Sequence, residues 1–238
     1  MEVHAHTHTE RKKWTHYLWE FLMLFLAVFC GFLAENYREH VVEHQREKEY
    51  MQSMLEDLGQ DTLEINRISL VNIVANVDLD TLLEIFKLPL SGDKVTRKKL
   101  YYFLQASIRA ELCVFSQRTM SQLKNAGGLR LVRKREVANM ISLYDSKIQY
   151  LGVIAKSLDE ITSDATRLGS EVYDLNYYTS HHDNNYELIT YDPKILKKLS
   201  NIAYFEQKVF AHYESHLQEE KQVAIQLIKL IKKEYNLQ

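Results

Sequence analysis

One apolar run near the N-terminus constrains this chain more than any other feature. The fourteen residues from Phe21 to Ala34 carry no charge, and extension upstream to Trp14 gives 21 residues whose only acidic or basic side chains are His16 and Glu20. A helix rises about 1.5 Å per residue, so about 20 such residues cross the hydrocarbon core of a bilayer. Aromatic residues stand at both ends, where their rings favour the headgroup layer. The run predicts a transmembrane helix.

A cleaved signal peptide is the alternative interpretation of the same run. It predicts a cleavage site of small residues and a loss of helix propensity after the apolar stretch. The stretch is instead followed by ENYREHVVEHQREKEYMQSMLEDL, which favours helix throughout. We therefore expect an uncleaved single-span anchor. The basic cluster Arg11, Lys12 and Lys13 adjoins this anchor on its N-terminal side and favours a cytoplasmic N-terminus.

Turn-forming residues are scarce along the whole chain. The 238 residues include only 7 Gly and 2 Pro, whereas all-β folds need turn residues about every 8–12 positions. Apolar residues recur at intervals of three and four, the period of an amphipathic helix. The pattern predicts an all-α fold in which an N-terminal transmembrane helix continues into a long antiparallel helical bundle. The predicted segments are a short His-rich, basic tail at 1–13, the transmembrane helix at 14–36 and a bundle domain at 37–238, with helices at about 37–87, 95–125, 134–175 and 193–235.

Anchor and bundle are expected to share one helix. Gly59 is the only helix breaker between Ala34 and Lys87, and no stretch rich in Gly, Ser or Pro separates the two parts. A helix that starts at Trp14 would therefore run for about 70 residues before the first cluster of breakers.

Two features of this helix indicate self-association. Ala27, Gly31 and Ala34 lie on one face of the transmembrane segment, where small side chains let a second helix approach closely. Farther along, the residues from Met51 to Ile65 form an apolar stripe with spacings of three and four. The stripe has two interpretations: it packs against a second copy of the chain, or it packs against other helices of its own bundle.

Glu20 is the most informative single residue of the anchor. It lies about one turn inside the aromatic end, and His16 precedes it by four residues on the same helix face. A carboxylate at membrane depth costs up to a few kcal/mol. This placement indicates an ion- or proton-handling role, a role in assembly across an oligomer interface, or a shallow position from which the side chain reaches headgroup water.

Composition and motifs exclude several functional classes. The chain has 30 Lys+Arg against 32 Asp+Glu, so it lacks the basic surface that nucleic acid requires. Two cysteines are too few for a disulfide scaffold or a structural zinc site. No nucleophile elbow, phosphate-binding loop or dinucleotide fingerprint occurs. We therefore expect a non-enzymatic protein without a cofactor.

Histidines are the candidate metal ligands of the chain. His4, His6 and His8 alternate with other residues in the tail, while His212 and His216 stand four apart on the last predicted helix. In both places a solvated polar segment is the alternative, and we expect no bound metal. Metal-dependent catalysis through the helical pair is a third functional hypothesis.

One long polar and aromatic loop precedes the last helix. Tyr178, His181, His182 and Tyr186 stand in it, and a loop of this composition at the end of a bundle suits contact with a ligand or partner. The alternative is a solvated loop whose tyrosines pack on the end of the bundle.

The order of these features resembles a family of single-span helical membrane proteins of Bacteroidota. The resemblance rests on the span, on the acidic and basic helix after it and on the segment TMSQLKNAGGLRLV. It implies a bacterial inner-membrane location and little chemistry, because that family has no agreed activity. The His-rich N-terminus and the HHDNN loop depart from the pattern. The shared short element corresponds here to Leu123, Lys124, Gly127 or Gly128, Leu129, Leu131 and Val132.

These expectations combine into one functional hypothesis. The chain is a bitopic, membrane-anchored scaffold, adaptor or sensory partner that self-associates, with its N-terminus in the cytoplasm and its bundle in the periplasm. Its expected partners are the lipid bilayer and either a second copy or another membrane protein. The alternative is an oligomeric transport or ion-conducting subunit that uses Glu20.

Overall fold

The computed structural model of the chain describes residues 14–91, 93–104, 111–125, 127–174 and 186–237. Over these residues the fold is all-α, as the sequence predicts, and it has no β-strand. Its elements are α1 (Trp14–Ile85), α2 (Lys94–Phe103), α3 (Arg118–Asn125), a 3₁₀ turn (Gly128–Arg130), α4 (Arg135–Val172) and α5 (Pro193–Tyr235).

The chain divides into two compact units, and their boundary lies inside α1 between Glu49 and Tyr50. In the first unit every side chain of α1 from Trp14 to Val42 is exposed. The second unit contains the remainder of α1 and the helices α2 to α5. The predicted boundary after residue 36 lies just beyond the apolar run, which ends at Ala34, whereas the packed domain begins at Tyr50.

Local sequence signals set the ends of the shorter and later helices. Asp93 caps α2 by accepting hydrogen bonds from the backbone N–H groups of Val95 (2.9 Å) and Thr96 (3.2 Å). Asp192 caps α5 through the N–H of Lys194 at 2.8 Å, and Pro193 occupies the first helical position. Helix α5 therefore begins at residue 193, where the sequence predicts its start.

Three apolar clusters run along the second unit and show how its long helices pack. Met51 of α1 packs with the first turns of α4 and the last turns of α5. Ile65 shares the middle cluster with Leu151 of α4 and Leu217 of α5. Leu79 packs with the end of α4 and the beginning of α5. Helices α1 and α4 therefore run parallel, and α5 runs antiparallel to both.

The predicted helical interval 95–125 is not one continuous helix. Helix α2 ends at Phe103, α3 begins at Arg118, and residues 111–117 are not helical. We call residues 111–117 the crossing segment. Side chains of α1 and α5 bind its backbone N–H groups, as described below, and these long-range hydrogen bonds replace the helical ones.

The two interpretations of the stripe from Met51 to Ile65 are resolved by burial. Met51, Leu58 and Ile65 are each 0% exposed within their own domain. This stripe is therefore the core face of α1 and is not available to a second copy.

Candidate functional site

The apolar side chains of the first unit are exposed on the surface of the structure. An 18-residue window of α1 has a mean hydropathy of 2.0, and none of it is buried within the structure. Among the described residues, α1 is the one helix that is long and apolar enough to cross a membrane. The rings of Phe21, Phe25 and Phe29 stack along one face, with centroids 6.3 and 5.8 Å apart. This surface has the dimensions and the chemistry of a bilayer-spanning segment.

The predicted neighbours within this segment do meet. His16 Nε2 lies 3.1 Å from Glu20 Oε1, and about half of each side chain is exposed. Gly31 faces open space, because a Cβ atom added there would meet no heavy atom within 4 Å. Ala27 and Ala34 lie one turn before and after it and are exposed. The small-residue face is therefore free to receive another helix.

Several predicted candidates lie outside the described residues. These are His4, His6 and His8 in the tail and Tyr178, His181 and His182 in the loop. Tyr186, the one described member of the predicted partner loop, is held by α2. Its carbonyl oxygen accepts a hydrogen bond from Arg97 Nε at 3.1 Å, and its ring packs edge-on against Tyr101.

His212 and His216 lie side by side on α5, as their spacing predicts. Their ring centroids are 4.5 Å apart, and the ring of Tyr150 packs edge-on against both. His216 Nδ1 lies 3.3 Å from Glu219 Oε2, and Lys147 Nζ lies 2.9 Å from the same oxygen. Across the described part of the chain, no three His, Cys, Asp or Glu side chains converge as metal ligands would. The pair is an aromatic and ionic cluster on the surface of the second unit.

Sequence reasoning missed a polar core at the centre of the second unit. Asp57 and Asp61 of α1 are 4% and 2% exposed. Asp61 Oδ2 accepts a hydrogen bond from the Tyr144 hydroxyl at 2.5 Å, and its Oδ1 accepts one from the Ser116 N–H at 2.8 Å. Asp57 accepts one from the Thr119 N–H at 2.9 Å. Burial raises the pKa of Asp61, and the Tyr144 hydrogen bond opposes that shift.

The crossing segment is held in place by further side chains. Asn72 donates through Nδ2 to the carbonyl oxygen of Glu111 at 3.2 Å and accepts through Oδ1 from the Glu111 N–H at 3.1 Å. The Tyr213 hydroxyl accepts from the Cys113 N–H at 2.8 Å. Burial raises the pKa of the Cys113 thiol to about 12, so this cysteine stays protonated and is a poor nucleophile. These contacts serve to fix the backbone.

Glu220 of α5 completes the polar core. It is 0% exposed, and neither carboxylate oxygen has a hydrogen-bond partner among the described residues. Burial raises its pKa from 4.5 to about 8; Lys147 opposes the shift and the negative charge of Asp61 adds to it. The side chain is therefore a neutral acid at pH 7. The signal in the sequence was the presence of acidic residues at core positions of otherwise apolar stripes.

The second unit also carries apolar side chains on the outer face of α1. Five of them are between 55% and 70% exposed. They lie on the side of the helix opposite its core residues Ile65, Ile68 and Leu79, which are almost fully buried. We call this set the outer stripe: Leu63, Leu70, Ile73, Val74 and Val77.

The chain thus presents an exposed apolar segment, an exposed apolar stripe and a polar core whose side chains bind backbone. Each of these features follows from the chain's own geometry. Comparison with protein-family models, with curated proteins and with solved structures finds no match to this chain.

Proposed function

We propose that this chain is a bitopic membrane protein whose helical domain acts as a non-enzymatic scaffold, adaptor or sensory partner. The observation that carries the proposal is the fully exposed apolar window of α1. Apolar surface removed from water contributes about 25 cal/mol per Å². A run of large exposed side chains from Trp14 to Leu33 is therefore strongly unfavourable in water and favourable in lipid.

The chemistry of the second unit supports a structural role for its polar residues. Asp57, Asp61 and Asn72 bind the backbone of the crossing segment and of α3, where they act as internal hydrogen-bond partners. Cys113 is kept as a thiol by burial. Polar groups that are already used to hold the fold are not free to activate a substrate.

We place the N-terminus in the cytoplasm and the second unit in the periplasm of a bacterial inner membrane. The support is the basic cluster at residues 11–13, because positive residues next to a span are retained on the cytoplasmic side. The proposed partners are the lipid bilayer and a second copy or another membrane protein, which would pack on Ala27, Gly31 and Ala34.

The alternative function, an oligomeric transport or ion-conducting subunit, is favoured by the His16–Glu20 contact at 3.1 Å. An ionisable pair near the end of a span is a candidate for handling ions or protons. The change Glu20→Gln distinguishes the two functions. If flux through reconstituted vesicles is lost while assembly is intact, the transport subunit is supported; the scaffold predicts a change in assembly or stability at most.

Membrane insertion is tested by extracting isolated membranes at alkaline pH. We expect the full chain to resist extraction and the double variant Leu24→Arg, Val28→Arg to be released, because each charge in the apolar core costs about 2.5–3.5 kcal/mol. Val41→Arg with Val42→Arg is the matched control on the same exposed helix and should stay in the membrane. Release of the unmodified chain would contradict the proposal.

Topology is tested by a reporter fused after Gln238 that is active only outside the cytoplasm. The proposed orientation requires an active reporter. An inactive reporter on a chain that still resists extraction would reverse the orientation and leave the membrane anchor in place.

A further inference from the structure

We propose that the outer stripe of α1 binds the same stripe of a second copy, with the two helices parallel. The inference rests on the proposed function, since a shared membrane anchor inserts both copies in the same direction. Leu63, Leu70 and Val77 are seven residues apart, which is the repeat of a helix-to-helix seam. With Ile73 and Val74 they cover an arc of about 100° and a length of about 21 Å.

The charges at this face permit two identical surfaces to meet. Arg67 is the cation at the edge of the outer stripe, and its guanidinium lies 2.8 Å from a carboxylate oxygen of Glu64 and 2.8 Å from one of Glu111. Its charge is therefore compensated within each copy. Because one guanidinium meets two carboxylates, each copy keeps one net negative charge here, and it lies at the edge of the outer stripe, where salt screens it.

Asn66 fixes both the direction and the register of the pairing. It is exposed and lies between Leu63 and Leu70 on the same face. In a parallel two-fold pair each Asn66 meets its own counterpart, and two amides can then hydrogen-bond to each other. A single asparagine in an apolar seam selects register in this way and lowers affinity. In an antiparallel pair the same amide would face an apolar side chain.

The size of the outer stripe explains why the pairing depends on the anchor. A stable interface buries about 800 Å² per partner, which is more than a seam of about 21 Å supplies. Confinement to a membrane raises the effective concentration of the second copy and makes a small surface sufficient. The pairing is therefore a property of the full chain in its membrane.

The test uses full-length single-cysteine variants in isolated membranes, in a background of Cys30→Ser and Cys113→Ser. A disulfide forms when Cα atoms come within about 4.4–6.8 Å. We expect oxidation to crosslink Leu63→Cys, Leu70→Cys and Val77→Cys into dimers. Val153→Cys is the matched control, since Val153 is apolar and 62% exposed on α4.

Each alternative outcome overturns the proposal in a different way. Crosslinking at Leu70→Cys without crosslinking at Leu63→Cys and Val77→Cys would indicate an antiparallel pair. Equal crosslinking at Val153→Cys would indicate random collision. No crosslinking at any position, in a chain that still resists alkaline extraction, would assign the outer stripe to another occupant and leave the proposed function standing.

A second measurement separates pairing from mere proximity. Leu70→Asn combined with Ile73→Asn should weaken crosslinking at Leu63→Cys by about tenfold or more, because each change removes a buried apolar contact. Val153→Asn should leave it unchanged. Circular dichroism confirms that the variants stay folded. Undiminished crosslinking in the double variant would overturn the proposal.

Discussion

Glu220 is a buried acidic side chain whose pKa is raised by its surroundings. A buried carboxylic acid without a hydrogen-bond partner costs free energy, and ionising it costs more. Around it, Asp61 of α1 and Asp145 of α4 raise its pKa while Lys147 of α4 lowers it. The acid is therefore tolerated in the core because it holds its proton.

The first prediction concerns the pH dependence that this side chain creates. Its pKa is about 8 in the folded protein against 4.5 ordinarily, so between these values the folded state binds more protons than the unfolded state. The free energy of unfolding therefore falls as pH rises from about 4.5 to about 8. Glu220→Gln should remove this fall. Thermal unfolding measured at pH 5 and at pH 9 should therefore show that the variant is more stable, relative to the unmodified chain, at pH 9 than at pH 5.

Glu219→Gln is the control on the neighbouring position. Glu219 is exposed, and its hydrogen bond and ion pair with Lys147 lower its pKa. The stability that this contact contributes is present at neutral pH and is lost in acid. Its pH dependence therefore has the opposite sign to that of Glu220. A Glu220→Gln variant whose stability tracks that of the unmodified chain at both pH values would contradict the assignment.

At the scale of elements, the crossing segment is the part of the fold that depends most on its surroundings. Its backbone belongs to no helix or strand and so gains no hydrogen bonds from a regular element of its own. Asn72, Asp61 and Tyr213 supply these bonds from two different helices. Each of the three partners is distant in sequence, so the path of the segment depends on the packing of α1 and α5.

The second prediction concerns the loss of one of these hydrogen-bonding side chains. Asn72→Ala loses both hydrogen bonds to Glu111 and should lower the free energy of unfolding by about 1–3 kcal/mol. Hydrogen exchange at the Glu111 amide should become faster, while the amides of α1 keep their protection. Asn139→Ala, at an exposed position of α4, should change neither quantity. Unchanged exchange at Glu111 in Asn72→Ala would show that the Asn72 side chain is not needed to hold the crossing segment.

At the scale of the molecule, the three apolar clusters of the second unit are joined by the same three helices. Each cluster contains residues of α1, α4 and α5, so loss of one disturbs the alignment of all three. Leu217 stands in the middle cluster and is 0% exposed. The domain is therefore expected to unfold as one cooperative unit.

The third prediction tests this cooperativity. Leu217→Ala should cost about 2–5 kcal/mol, because the substitution leaves a cavity in a close-packed core. Denaturant unfolding of the second unit, followed by far-ultraviolet and by tyrosine near-ultraviolet dichroism, should show coincident transitions. Val153→Ala, at an exposed site, should lie within about 0.5 kcal/mol of the unmodified chain. Separate transitions from the two probes would contradict a single cooperative unit.

Much of the fold was predictable because its signals are local. The cap at Asp192 with Pro193, the boundaries of α4 to within three residues and the apolar run of α1 all follow from neighbouring residues. Periodicity and turn chemistry act over a few positions of chain, and they need no knowledge of tertiary contacts.

The sequence by itself determined an all-helical chain with one exposed apolar segment, since propensity and hydropathy are properties of short stretches. Only the tertiary structure decided that Met51, Leu58 and Ile65 face their own core, that residues 111–117 are not helical and that Glu220 is buried. These outcomes depend on contacts between residues that are far apart in the chain. An apolar stripe or an acidic side chain has the same sequence signature whether it meets solvent, a second copy or its own domain, and only packing distinguishes them.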